Sequence, residues 1–356
     1  MNQMMPANAA KRKRPWFFIS VIIVCVILIA LSYIPLPYYI YSPGNAESLQ
    51  PLIQVSGGHK TEKGSFMLTT VYVVYAKNVY DLLYGLSLPD HQLLPVSQVD
   101  PGLTDRQYTQ IEDYMMTSSH QSAEIAALQY LKKPVQVHVL GVQVIYVYPS
   151  SKAEGLLQPG DVITSIDGQN LQNPSRLVQV LRHATVGEKV SLSILRGGRK
   201  LQLSVPLVSL TANPKQHEVG LGISAGLAVS VKTPIRIRIN SGDINGPSAG
   251  LMFTLEVINQ LYKHGDLTKG YRIAGTGTMS ENGIVGQIGG VEHKIVAAAN
   301  AHANYFFVPM DTSKGDTNEA HAMEAAKRIH TTMKVIPVHT LKQAIGFLQH
   351  LPQKRV

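Results

Sequence analysis

The sequence predicts a multidomain α+β chain with an N-terminal transmembrane helix, a β-rich domain in the middle and an α/β domain at the end. Three observations carry this. Trp16–Ile34 is an unbroken run of 19 residues without a charge. Residues 133–208 are short alternating apolar stretches separated by Gly and Pro turns. Residues 209–356 alternate strand-like and helix-like stretches. A length of 356 residues suits two or three folded units, and 45% apolar residues are ample for their cores.

The net charge of +9 is concentrated. Lys11, Arg12, Lys13 and Arg14 carry four of those charges and Lys354 and Arg355 two more. What remains is thin over the rest of the chain, which is no nucleic-acid footprint. Cys25 is the single cysteine, so no disulfide framework or thiolate metal site forms within one chain. No H-E-x-x-H or comparable metal pattern occurs, and no cofactor is expected.

At the N-terminus, residues 1–15 read as a basic cytoplasmic tail and 16–34 as the membrane span. Nineteen helical residues rise about 28 Å, close to the thickness of a hydrocarbon core. The basic cluster precedes the apolar run, so the positive-inside rule places the remainder outside the cell. A cleaved signal peptide is the alternative, with Ala30 and Ser32 at the spacing of a cleavage site. The apolar continuation Ile34-Pro35-Leu36 favours the uncleaved anchor.

Residues 35–132 read as a mixed α/β scaffold segment, with a strand over Ser65–Tyr75 and a long helix over Asp105–Leu131. No chemistry is legible there. In 133–208, Val135–Val139 and Val142–Tyr148 read as strands. Gln158-Pro159-Gly160-Asp161 is a tight turn in which Pro159 pre-sets φ and Gly160 admits φ > 0. It feeds the strand Val162–Ile166, which is followed by a short helix Pro174–His183. Val190–Arg196 and Lys200–Pro206 form a hairpin across Gly197-Gly198. The run A-E-G-L-L-Q-P-G-D-V-I-T-S-I-D-G resembles a bacterial PDZ domain. PDZ domains bind extended peptides by adding a strand to a sheet edge. The resemblance implies a peptide groove formed by Leu140, Gly141, Val142 and Val144, facing the helix around Leu177.

In 209–356 the expected order is a strand through Ile235, Ile237 and Ile239, helix Pro247–Leu261, strand Tyr271–Gly275 and helix Glu292–Ala303. Strand Tyr305–Pro309, helix Asn318–His330, strand Met333–Val338 and helix Leu341–Leu348 follow. Asn245-Gly246-Pro247-Ser248-Ala249-Gly250 lies at the start of the first helix. Pro247 suits a first helical turn, where a missing N–H costs nothing. Ser248 is then at a helix tip with free backbone donors, among small residues that let a substrate backbone approach. Those are the requirements of an acyl-transfer nucleophile and its oxyanion hole. Lys294 follows Gly289-Gly290 and opens a small apolar helix, Ile295–Ala299. An ammonium is no base, but apolar surroundings depress its pKa.

Taken together, G-P-S-A-G-L, I-A-G-T-G-T-M, V-G-Q-I-G-G-V-E-H-K-I-V-A-A-A and Y-F-F-V-P resemble the proteolytic domain of the Lon family over roughly residues 215–350. The resemblance implies a Ser248–Lys294 dyad, with Thr278 supporting the lysine. Gly246 and Asn245 complete the serine loop. The family often has an acidic residue immediately before G-P-S, where this chain has Asn245; Asp243 lies two residues earlier. No G-x-x-x-x-G-K-[ST] string occurs, so hydrolysis without ATP is expected. With the anchor and the PDZ-like part, the chain is similar to PDZ-containing, membrane-anchored Lon-like serine proteases of Gram-positive bacteria.

The expectation is therefore a single-pass membrane serine endopeptidase with its N-terminus in the cytoplasm. Its extracellular catalytic domain would cut extracytoplasmic peptides or unstructured protein segments. The Lon resemblance also points to a homo-oligomer. A non-catalytic PDZ scaffold that tethers a surface partner is the alternative of a different class. A tail-specific protease also joins a PDZ domain to a Ser–Lys pair, but its nucleophile setting differs. A histidine base is disfavoured, because one helical step turns His293 about 100° from Lys294.

Overall fold

The computed structural model describes residues 14–34, 36–60, 63–99, 104–211, 218–242, 244–263 and 265–354. Its first elements are α1 (Arg14–Leu31), β1 (Tyr38–Ser48), β2 (Ile53–Val55), β3 (Ser65–Tyr75), α2 (Val79–Ser87), β4 (Gln92–Pro95), α3 (Val96–Val99) and α4 (Asp105–Tyr130). Next come β5 (Gln136–Val147), β6 (Val162–Ile166), β7 (Gln169–Asn170), α5 (Pro174–Leu181), β8 (Lys189–Arg196), β9 (Arg199–Pro206), β10 (Val208–Ser209), β11 (Val219–Gly220) and β12 (Ile223–Lys232). After β13 (Ile237–Ile239), a 3-10 turn Pro247–Ala249 runs into α6 (Gly250–Leu261). The chain then forms β14 (Arg272–Gly275), β15 (Thr278–Met279), β16 (Val285–Gly286), α7 (Val291–Asn300), β17 (Tyr305–Pro309), α8 (Asn318–Arg328), β18 (Lys334–Val338) and α9 (Leu341–His350). Contacts divide it into two units, Met1–Pro43 with Val71–Pro101, and Gly44–Thr70 with Gly102–Val356.

In the first unit, Tyr38–Tyr41 of β1 pairs antiparallel with β4. Asn78 caps α2 by accepting from the N–H groups of Tyr80 and Asp81, and Gly85 of α2 packs on Ile40. The helix α1 corrects the reading of the N-terminus. It ends at Leu31, with a turn at Ser32–Tyr33, instead of continuing to Ile34. Its 18 residues include Arg14 and Pro15 and rise about 27 Å, against a hydrocarbon core of about 30 Å that takes about 20 apolar residues to cross. Among the described residues no helix is long and apolar enough to cross a membrane. The transmembrane helix, the attachment to a membrane through it and the single-pass placement with an external catalytic domain are therefore withdrawn. Lys11, Arg12 and Lys13 of the basic tail lie outside the described residues.

The second unit holds a parallel sheet and a β-rich domain. The parallel run is β18-β17-β14 followed by Ser65–Leu68 of β3. Alternate residues of its strands face opposite ways. Phe66, Leu68, Ile273 and Phe307 join one core with α6 and α9. Met67, Ala274, Phe306 and Val308 join another with Val291, Ile295 and Ala298 of α7 and Ala322 and Ala325 of α8. Burial on both faces is why these strands read as nearly continuous apolar runs. The helix α6 is buried from Gly250 to Gln260, and α4 packs on it. A capping box at Thr104 and Gln107 starts α4, and another at Thr340 and Gln343 starts α9.

The β-rich domain has the strand order β12-β5-β6-β8-β9 with α5 beside it. Its core contains Val142, Val144, Ile163, Ile166, Leu177, Leu181 and Leu192. The two strands expected on either side of Leu140-Gly141 are one strand, β5. Gly141 makes this continuity feasible: it has φ +147, and a Cβ there would run into the Ile163 carbonyl. Beyond residue 208, β12 pairs with β5 and completes the β-rich sheet.

Candidate active site

The serine loop is built by a short turn and the buried helix behind it. Gly246 takes φ +92, ahead of Pro247 at the first position of the 3-10 turn. Gly250 then starts α6, where a Cβ would press on the Met279 N at 2.8 Å. This close approach to β15 fixes the height of the loop. The Ser248 carbonyl accepts from the Gly277 N–H at 2.8 Å and from the Thr276 hydroxyl at 3.0 Å. Ser248 itself is half-buried.

Lys294 comes from the first turn of α7, which begins after Gly290 in the left-handed region at φ +66. Its Nζ lies 2.6 Å from Ser248 Oγ, although 46 residues separate the two in sequence. It also donates to Thr276 Oγ1 at 3.2 Å. Lys294 is only 4% exposed, and burial pulls its amine down to about 7 from the usual 10.5. Desolvation disfavours the ammonium because the charged form loses more hydration than the neutral one.

Thr276, and not Thr278, therefore holds the lysine. In a regular strand residues two apart share a face, but Gly277 at φ +145 breaks the strand between them. Thr278 is turned into the β15–β16 hairpin opposite Gly286. There it lines a cavity of about 190 Å³ with Pro247, Tyr114, Ser119 and Met279. Asn245 is exposed at the edge of the loop, and Gly246 is buried. Asp243 lies outside the described residues. The segment I-A-G-T-G-T-M contains both threonines, and nothing in the string itself distinguishes them.

The helix α4, in which no chemistry was legible, underlies the loop. Ser119 Oγ donates to the Pro247 carbonyl at 3.2 Å. A Cβ on Gly246 would sit 2.7 Å from Glu112 Oε2. Burial, and then Asp113, push the Glu112 carboxyl upward. Among the described residues no group of three His, Cys, Asp or Glu is placed to hold a metal ion.

Of the PDZ-like residues, Val142 and Val144 are buried in the β-rich core with Leu177. Leu140 is exposed and Gly141 lies at a break in the pairing register with β12. The stretch expected to present an open edge has none. Val142 and Gln143 pair with β6 on one side and with Leu227 and Gly226 of β12 on the other.

Comparison with known families agrees with these two halves. Residues 116–207 match the PDZ domain, and residues 216–349 match the Lon protease (S16) C-terminal proteolytic domain. The chain thus joins a PDZ domain to a Lon-type C-terminal proteolytic domain. Among its relatives, the chloroplastic Protease Do-like 1 of Arabidopsis thaliana is 36% identical over 95 residues, covering 23% of this chain and 20% of that one. Lon protease of Metamycoplasma arthritidis (strain 158L3-1) is 32% identical over 118 residues, covering 33% and 13%. The solved PDZ domain of an SdrC-like protein from Listeria monocytogenes is 27% identical, covering 25% of this chain and 92% of that one, with a TM-score of 0.23. The chain spans a fifth or less of the length of these two curated relatives.

Proposed function

We propose that this chain is a serine endopeptidase in which Ser248 is the nucleophile and Lys294 its general base, and that it works without ATP. The observation that carries the reading is the buried Lys294 amine, held near pKa 7, at 2.6 Å from Ser248 Oγ. The Thr276 hydroxyl donates to the Ser248 carbonyl, so its oxygen is left to accept from the amine. One N–H of a neutral Lys294 is thereby engaged, and the lone pair is directed at the serine hydroxyl.

The serine proton passes to Lys294 as Oγ attacks the peptide carbonyl. In this reading the backbone N–H groups of Ser248 and Ala249, at the helix tip, hold the developing oxyanion. Lys294 then gives its proton to the departing amine, which leaves an ester on Ser248. A water attacks that ester, giving its proton to Lys294, which returns it to Ser248 Oγ as the ester C–O bond breaks and the acid product leaves. No nucleotide-binding string is present in these 356 residues, so substrates are short peptides or unstructured segments that need no unfolding.

The test is cleavage of casein and of a fluorogenic peptide, without nucleotide, by the wild type, Ser248→Ala and Lys294→Met. The wild type should cleave, and both variants should be at background while keeping their circular dichroism. Equal rates in all three would refute the assignment.

A further inference from the structure

A PDZ groove takes its ligand as an extra antiparallel strand beside one edge, under a helix. In this chain that position is filled. Ile223 to Leu227 run antiparallel to Val147–Val142 of β5, and α5 packs on β12. Ile223 and Ala225, two residues apart and so on one face, pack against the core that holds Leu177 and Leu181. We infer that β12 is the groove's own ligand, and that a peptide enters the groove only by exchanging with Ile223–Leu227.

Two further features lock the strand in place. The pairing does not stop at the level of Gly141, where a free chain end would finish, but continues to Lys232 opposite Gln136. The outer side of β12 is held as well. Tyr114 Oη donates to the Leu227 carbonyl at 3.0 Å, and Gln121 Nε2 donates to the Val229 carbonyl at 3.4 Å. Gly226 lies under the Tyr114 ring, and a Cβ there would fall on the ring atoms. A competing peptide has to replace backbone bonds, apolar contacts and these side-chain bonds together. The inference rests on the fold of the β-rich domain and stands whether or not Ser248 is a nucleophile.

Hydrogen–deuterium exchange on the full chain carrying Ser248→Ala tests this, with a labelled peptide copying residues 222–230 as probe. Without peptide, the amides of Val142–Tyr146 and Ser224–Ala228 should be as protected as those of β6 and β8. The probe should leave them unchanged. In the same background, Ile223→Asp with Ala225→Asp should bind the probe about tenfold more tightly or better, since the internal competitor has lost its apolar anchors. Rapid exchange of β12 in the ligand-free chain would overturn the inference. So would probe-dependent protection of β5 that is as strong without the two substitutions as with them. If the doubly substituted chain does not fold, the exchange pattern of the unsubstituted strand still decides.

Discussion

Lowering the pH through 7 should switch off hydrolysis by protonating Lys294. Its amine titrates at about 7 because it is buried, and only the neutral form is a base. The neutral fraction is about one half at pH 7, about one tenth at pH 6 and about nine tenths at pH 8. The kcat/KM of a fluorogenic peptide, measured from pH 5 to 9 at constant ionic strength, should rise through a midpoint near 7 and then level off. The same shift sets a stability trend. Moving the amine from 10.5 to about 7, at about 1.4 kcal/mol per unit, costs the fold about 5 kcal/mol. That cost is absent above the unfolded value, grows as the pH falls, and is complete below about 7. Lys294→Met removes it at the expense of two hydrogen bonds worth about 1 kcal/mol each. The variant should therefore be inactive yet about 3 kcal/mol more stable at pH 7 in urea denaturation. A rate midpoint near 10, or a Lys294→Met chain less stable than wild type at pH 7, would refute the claim that the amine is held neutral by desolvation.

Thr276→Val removes the bonds to Lys294 and to the Ser248 carbonyl and should lower kcat by about tenfold or more, with little change in KM. It should also move the pH midpoint below 7, because an acceptor favouring the ammonium is gone; Thr278→Val should leave both within about twofold. Gly246→Ala forces a side chain into φ +92 and against Glu112, at about 1–3 kcal/mol. Its kcat should fall, and adding Glu112→Ala should recover only part of the loss, since the backbone strain persists. Asp161 is buried and held by Arg196 through bonds of 2.8 and 2.7 Å. Arg196→Ala leaves it with the Gln158 N–H and should cost about 2–3 kcal/mol, with the partial exposure of Arg196 taken into account, read from thermal denaturation.

Local pattern carried much of the fold. The strands of the parallel sheet are apolar on both faces, so β14, β17 and β18 were legible to within a residue or two. The serine and lysine segments stood out because Gly-Pro before one and Gly-Gly before the other demand particular backbone geometry. What escaped was non-local. The pairing of β12 with β5 joins residues on opposite sides of a Pro- and Gly-rich stretch, and nothing in Ile223–Lys232 names its partner. The choice of Thr276 over Thr278 depends on one glycine dihedral. The role of α4 beneath Pro247 came from Ser119 and Glu112, ordinary polar residues on a helix whose neighbours the sequence does not specify. At the N-terminus, hydropathy marked an apolar run but not the residue at which its helix ends.

Because β12 serves the sheet of one domain while its continuation enters the other, the two cannot be cut apart cleanly. A fragment starting at residue 209 would carry ten residues of strand with nothing to lie against, and residues 133–208 alone would be left with a bare edge. Each piece would seek a substitute strand, in another copy or in any extended segment nearby. The two are therefore best expressed on one chain.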